Sequence, residues 1–470
     1  MANQVRGFLL KDLFKKLTEV AVQELSADYA EAHSQHLFKT MITMKEGRVE
    51  AAKQGIEDGV ALRVLVNGAW GFASVGSMNP DILMAAVADS CNMARAASKR
   101  LRNPIRLSPA NQIEDKITVR PKKNPSDISM ENKIKTVSLV NKATLGYDNR
   151  VKSCTIDYLD ITAKDYFGNS EGSYIEQDRV FVWARLTASA SQNGVLTFSR
   201  EEIGSTAGYE MFDSNTPESI GAKIAKRAVD QLGAHTPKGG KFPVVLGPNV
   251  VGVFVHEAFG HLAEADIALA GGILRENIGR RIGSKLVTIY DDGTIPGAFG
   301  SFKYDDEGIP SQKTLLTKDG VVTGLMHNRE TAAIFNTTPT GNARAEDFRA
   351  EPIIRMRNTF MAPRDYSFEE LLEGLDNGYY FKSFRGGQAN LDGTFQVGIQ
   401  EGYEIKKGEI GVPVRDASIS GNTLETLLKV DAVGKDFELW PGRCGKGQTA
   451  FVCDGGPHIK VNEVVVGGSS

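Results

Sequence analysis

Hydrophobic positions change their rhythm twice along this chain. In Met1–Val20, Phe8, Leu9, Leu10, Leu13 and Phe14 recur at helical spacing among Lys11, Asp12, Lys15 and Lys16, which predicts an amphipathic helix. From Tyr29 to Val75 the period falls to two. Phe38 to Met44 alternates as a strand, Glu46-Gly47-Arg48 turns it back, and Gly59–Val66 meets Ala69–Ala73 across Asn67-Gly68, a strong hairpin signal. Asn79-Pro80-Asp81 then sets an N-cap and a first-turn proline for a helix to about Arg100. Periodicity lapses from Asn103 to Asn124, where Pro104, Pro109 and Pro121 predict a linker or extended connection. A helix is expected over Met130 to Leu145. Strands follow between Val151 and Ile203, with turns at Phe167-Gly168-Asn169 and Gln192-Asn193-Gly194, and Thr216-Pro217-Glu218 opens a helix to about Leu232.

Gly233 to Gly240, with His235, Pro237 and Gly239-Gly240, breaks the pattern and marks a domain boundary. An N-terminal α+β domain, 1–236, divides into sub-modules 1–103 and 125–236, and a C-terminal β-rich domain spans 237–470. The second domain opens with a buried strand, Phe242–Leu246, running through Gly247-Pro248-Asn249 into the apolar Val250–Val255. A strand resumes from Lys285 to Tyr290. Short strands then alternate with Asp292-Gly293, Asp319-Gly320, Asp392-Gly393 and Lys407-Gly408 turns, and only Phe368–Leu375 and Thr423–Leu428 read as helical. The fold class is therefore α+β: antiparallel strands with packed helices first, then a mostly antiparallel sheet or curved barrel carrying a distorted zinc-binding helix.

Composition narrows the function. At 470 residues, 41% hydrophobic and 24% charged, the chain reads as ordinary globular protein with no run of roughly 18 apolar residues for a membrane span. A net charge of -3 leaves no footprint for nucleic acid or an anionic membrane. The first twenty residues are amphipathic rather than a continuous apolar signal peptide, so a cytoplasmic protein is expected. Four cysteines are too few for a disulfide framework, and a reducing compartment leaves thiolates free for metal. Cys91, among Met84, Val87 and Met93, reads as a structural thiol. Arg120-Pro121-Lys122-Lys123 reads as a solvated loop.

The candidate chemistry lies in His256-Glu257-Ala258-Phe259-Gly260-His261. Two imidazoles and a carboxylate within six residues, in a chain of only seven histidines, point to a catalytic metal centre with Glu257 as general base. The histidines are five apart. A straight α-helix would separate them by roughly 140°, so a kink or π-bulge is required, and Gly260 is the residue expected to tolerate it. A catalytic zinc takes three protein ligands and keeps one position open. Candidates for the third are Cys444, Cys453, Glu264, Asp266, His327 and His458. Cys444 sits in a glycine-bracketed stretch, Pro441 to Gln448, read as a loop in which Arg443 and Lys446 hold the thiolate. Cys453 ends an alternating run and reads as structural. Glu264 and Asp266 read either as acceptors for the outer N–H of a zinc histidine or as the polar end of the helix. His33, His36 and His235 read as surface or satisfied histidines.

These residues also resemble a known family. His-Glu-x-x-x-His followed by Leu262-Ala263-Glu264-Ala265-Asp266 is similar to the signature of the TldD branch of the TldD/PmbA metalloproteases. Further matches are Asp291-Asp292-Gly293-Thr294, Asp305-Asp306-Glu307-Gly308, Arg355-Met356-Arg357-Asn358-Thr359, Gly386-Gly387-Gln388 and Cys444-Gly445-Lys446. The resemblance implies His256, His261 and Cys444 as zinc ligands, the last from the Cys-Gly-Lys motif. This chain departs from the pattern in that Gly447 follows Lys446 directly, where one residue usually intervenes. It also implies unfolded or leader-type peptides as substrates, and a heterodimer with a PmbA-type subunit, or a homodimer where no such partner is encoded. The readings carried forward are a zinc metallopeptidase, a zinc amidase acting on a small modified substrate, and a non-catalytic peptide-binding subunit with structural zinc. A structural site has no use for Glu257 and needs a fourth ligand such as Cys453.

Overall fold

Strict alternation over unusually long stretches makes unusually long strands. In the computed structural model, which describes residues 2–468, the first helix α1 (Ala2–Glu19) leads into β1 (Tyr29–Lys45), β2 (Arg48–Val66) and β3 (Ala69–Val75). Met1 of the expected first helix lies outside the described residues. The helix α2 (Pro80–Ser98) begins where Asn79 accepts a hydrogen bond from the Asp81 amide at 2.9 Å, and it packs on β2 and β3. After β4 (Glu114–Ile117) and α3 (Met130–Leu145) come β5 (Val151–Asn169), β6 (Tyr174–Gln192) and β7 (Val195–Ser205). β2, β5 and β6 each run 19 residues, against a usual strand of about 5–6. The sheet order is β3-β2-β1-β5-β6-β4, with β7 on β6. α3 and the helix Pro217–Asp230 bury Val137, Val140, Ile220 and Ile224 against Ile156 and Leu186 of that sheet.

Two expectations change here. The stretch read as a linker or extended connection is extended and contributes a strand, β4, which pairs in parallel with β6 because Ile113 and Ile117 pack on Phe167 and Ile175. The first β5–β6 turn falls at Ser170–Ser173 rather than at Phe167–Asn169, since β1 holds β5 in register out to the Glu31–Asn169 pair.

From residue 240 most strands belong to two further sheets, and Ala343–Arg344 pairs with Ile353–Ile354 as a separate two-stranded one. Gly240–Leu246 lies between Asn377–Ala389 and Ile459–Gly468, and the latter pairs with Ala417–Asn422. Ala417–Asn422 pairs with Thr394–Lys406, which pairs back to Asn377–Ala389, so the ring closes as a barrel. The other sheet runs Val321–Val322, Lys313–Lys318, Ile289–Asp292, Asn358–Met361, Thr449–Gly456, Glu438–Gly445. Among the described strands of this half, Gly240–Leu246 with Asn377–Ala389 and Asn358–Met361 with Thr449–Gly456 are the parallel pairs. The segment Pro248–Ala263 packs against strands of both sheets, with Val250, Val251, Phe254, Val255, Ala258 and Phe259 fully buried.

Local chemistry moves several boundaries. Ser284 Oγ accepts from the Leu286 amide and Ser284 O from the Val287 amide, a turn that delays the strand expected from Lys285 until Ile289. The helix at Phe368 stops at Leu372, ahead of Gly374 in the left-handed region at φ +73°. A helix not foreseen, Arg329–Ile334, is started by Asn328, whose side chain accepts from the Thr331 amide. No described helix is long and apolar enough to cross a membrane.

The first sheet is joined to the second half by buried charges. Arg63 on β2 donates to Glu31 Oε1 and Glu307 Oε1, each at 2.7 Å, and its guanidinium lies over the Trp70 ring. Glu31 Oε2 accepts from Tyr29, Glu307 Oε2 from the Arg329 amide, and Arg329 grips Glu171 with two bonds of 2.8 Å.

Candidate functional site

Gly247-Pro248 starts an α-helix, Pro248–Val253, which widens to π geometry over Phe254–Gly260 and tightens to a 3₁₀ turn, His261–Ala263. The His261 amide bonds to His256 O, an i to i+5 link that carries the two histidines onto one face. Their ring centroids are 5.1 Å apart. The distortion demanded by the five-residue spacing is thus spread over two turns. Gly260 has an ordinary helical φ of −57°, so conformational freedom is not its role. A Cβ at Gly260 would lie 2.2 Å from Met356 Sδ, and the glycine is required by that close approach.

Cys444 arrives from the other sheet. It lies near the end of the strand Glu438–Gly445, hairpinned to Thr449–Gly456, so the stretch read as a loop is mostly strand and turns only at Lys446–Gln448. Buried Arg355 fixes this end by donating to Cys444 O at 2.8 Å and to Gln448 O. Cys444 Sγ stands 3.3 Å from His261 Nε2, and one donor atom each from His256, His261 and Cys444 lie within 4.8 Å of one another. Two ligands bonded at about 2.0–2.3 Å in a tetrahedral shell stand roughly 3.3–3.8 Å apart, so two nitrogens and a sulfur in this arrangement can hold a zinc-sized ion.

Electrostatics couples the three. Burial works against a charged His256 and His261, but the thiolate of Cys444 outweighs it and raises them to about 9 and about 10, with Glu264 adding to the second. Burial pushes Cys444 up, and the two imidazoles overcome it, bringing the thiol down to about 4.

The remaining expected residues divide. Glu264, fully buried, has Oε2 at 3.1 Å from His261 Nδ1 and 3.0 Å from Lys446 Nζ, while its Oε1 has no partner. Asp266 does not reach an imidazole; it holds Lys446 Nζ at 2.7 Å. Lys446 therefore binds carboxylates, and Arg443 lies over Trp183 and Phe451, so neither cation touches the thiolate as expected. Glu257 lines the cavity, with Oε2 3.9 Å from His261 Nε2. The other ligand candidates lie elsewhere. Cys453 Sγ accepts from the Phe299 amide and burial pushes it up to about 12. His327 bonds Thr331, and His458 bridges Asp436 and Tyr380. His36 and His235 are paired with Asp58 and Glu404, and His33 is buried 3.8 Å from both Asp165 and Asp306.

His256, Glu257 and Cys444 open on a cavity of about 230 Å³ between β7 and the C-terminal half. Sequence reasoning gave three of its walls no place in the site. Asp454 sits opposite Trp440 in the hairpin, and Gly252 makes room for it, since a Cβ there would lie 2.4 Å from Asp454 Oδ1. Burial, then Glu257, Glu202 and Cys444, against the pull of His256, raise Asp454 to about 7. Gly387 is the second: a Cβ would stand 3.4 Å from Glu257 Cγ. Asn249 is the third, its Oδ1 accepting from the Phe384 amide at 3.1 Å. The sequence signals were Gly386-Gly387-Gln388, quoted above only as a family match, and Asp454 itself, a charge breaking the apolar run Phe451-Val452-Cys453.

Comparison with known proteins places these features. Profiles of the PmbA/TldA metallopeptidase domain 1, central domain and C-terminal domain match residues 35–97, 123–232 and 239–468. A Methanothermobacter thermautotrophicus protein named a metalloprotease is 40% identical over 94% of this chain and 96% of its own. A Saccharolobus solfataricus protein named a zinc metalloprotease TldD homolog is 35% identical over 95% and 98%. In fold, TldE of Thermococcus kodakarensis aligns with a TM-score of 0.77 at 18% identity, covering 97% of this chain and 100% of that one.

Proposed function

The chain belongs to the PmbA/TldD metallopeptidase family, and on that premise we propose that it is a zinc-dependent peptidase held together by His256, His261 and Cys444, with Glu257 as general base. The observation that supports this most is the convergence of those three donors, two from one helical segment and one from a strand, beside a cavity that His256, Cys444 and Glu257 line. When bound, zinc supplies Lewis-acid polarisation of a carbonyl and a lowered pKa for water. Glu257 takes the proton of the attacking water on its carboxylate and hands it to the leaving amine nitrogen. Glu264 accepts from His261 Nδ1 and thereby fixes the tautomer that leaves Nε2 as a donor to the ion, while Lys446 keeps Glu264 ionised. The strand Asn377–Ala389 presents Gly386-Gly387 to the cavity, and bare backbone there suits an extended, unfolded or leader-type peptide. Cys453, the residue a closed structural site would need as a fourth ligand, is turned to the Phe299 amide, which favours an open catalytic position. A thiolate ligand donates more charge than a third imidazole, so turnover should be slow. The working unit in this reading is a pair, with a PmbA-type subunit or with a second copy.

Elemental analysis and peptide cleavage test the proposal together. The wild type should carry about one zinc per chain, and His256→Ala and Cys444→Ala should lose both metal and activity. Glu257→Gln should keep the metal and lose about 10²–10⁴ in kcat. Full zinc in Cys444→Ala removes the third ligand; normal cleavage by Glu257→Gln removes the base.

A further inference from the structure

The carboxylates around the cavity are not equivalent. Glu201 is neutralised by Lys223 at 2.9 Å and Arg227 at 2.8 Å. Glu202 is bonded by Arg200 and by Trp183 Nε1. Glu257 has its assigned work as base. Asp454 has no ion pair or hydrogen bond from the protein among the described residues, and its Oδ1 is shut from solvent with no partner at all. The acidic groups Glu257 and Glu202 and the Cys444 thiol act on it from one side and the His256 imidazole from the other. Asp454 is only partly buried where it lines the cavity, and a carboxylate left there without a partner is free to take a cation or a donor from outside the chain.

Resting on the peptidase reading above, we propose that Asp454 is the specificity-determining residue that binds the free α-ammonium of the substrate, so that the cavity takes the amino-terminal end of peptides. At about 230 Å³ the cavity is smaller than the roughly 300–1,000 Å³ of a typical ligand pocket, which fits the end of a chain better than a segment passing through. Gly252 lets this strand and its carboxylate lie close, since a Cβ there would stand 2.4 Å from Asp454 Oδ1 and 2.7 Å from the Gly455 amide nitrogen.

The test uses one peptide sequence in two forms, amino terminus free and acetylated, with the metal-loaded protein. The free form should be cleaved with a kcat/KM at least about tenfold higher, and Asp454→Asn should close the gap by losing rate on the free form. Equal kcat/KM for the two forms in the wild type overturns the proposal, and that comparison needs no variant to fold. Calorimetry on metal-loaded Glu257→Gln separates this failure from that of the peptidase reading. If neither form is cleaved by the wild type, the peptidase reading falls, while tighter binding of the free form still supports the ammonium site and equal binding removes it.

Discussion

Two buried polar clusters in this molecule differ in what they leave unfinished. Around Arg63, every charge has its counterpart: Glu31 and Glu307 share the guanidinium, Tyr29 and the Arg329 amide take their remaining oxygens, and Arg329 is itself closed off by Glu171 and the Ser108 carbonyl. Around Cys444, His256 Nδ1, Glu264 Oε1 and Asp454 Oδ1 are buried without partners. The first cluster is complete and joins the long sheet to the second half. The second is complete only with something added. Both contain ionisable groups with displaced pKa values, so displacement alone does not mark function; three unpartnered buried atoms gathered around one set of metal-type donors set the second cluster apart.

The comparison breaks most visibly at Arg63. Arg63→Met leaves Glu31 and Glu307 buried without their cation, and a loss of about 3–5 kcal/mol in folding stability is expected by chemical denaturation. Adding Glu31→Met and Glu307→Met should recover part of it, because an all-apolar cluster has no charge left to desolvate. Metal content of the folded protein should not change. If Arg63→Met strips the metal, the two clusters are one system and the contrast fails.

Glu264→Gln is the milder probe on the other side. It keeps the shape and removes the charge that orients His261 Nδ1 and balances Lys446, so zinc affinity should fall by about 10–100-fold in a chelator competition, with little change in stability of the metal-free protein. Unchanged affinity would return Glu264 to a structural role.

What was legible in the chain follows from how far apart the cooperating residues lie. His256, Glu257 and His261 are local, and their five-residue spacing already required a widened helix, because no straight one aligns them. The hairpin at Asn67-Gly68 and the N-caps at Asn79 and Thr216 were legible for the same reason: their hydrogen bonds are made within a few residues. Cys444 needed the family motif, since the sulfur meets His261 across 183 positions of sequence. Asp454 was not legible as a site residue, and Gly387 was met only within a family match. They become neighbours of the site only when Thr449–Gly456 pairs in parallel with Asn358–Met361 and the barrel closes through Asn377–Ala389. Gly252 is local to His256, yet its role depends on the distant Asp454. Gly260 shows the limit most clearly, because its conformation is ordinary and only the distant Met356 explains it.

The finest test of the contrast is the titration of the four cysteines. Burial raises Cys91, takes Cys154 up to about 11 and Cys453 up to about 12, whereas the imidazoles bring Cys444 down to about 4 despite its burial. The thiolate is the nucleophile, so lowering the pH through neutrality should not protect Cys444, which stays ionised until the pH approaches 4. In metal-stripped protein, iodoacetamide should therefore label one cysteine per chain, at nearly the same rate at pH 6 as at pH 8. A thiol with an ordinary pKa of about 8.5 would slow by nearly tenfold per pH unit over that range. Zinc should block the labelling by occupying the sulfur. A rate that falls tenfold per unit, or labelling that zinc does not prevent, would mean that the imidazoles do not hold the Cys444 thiolate, and the incomplete cluster would lose the charge that calls for a cation.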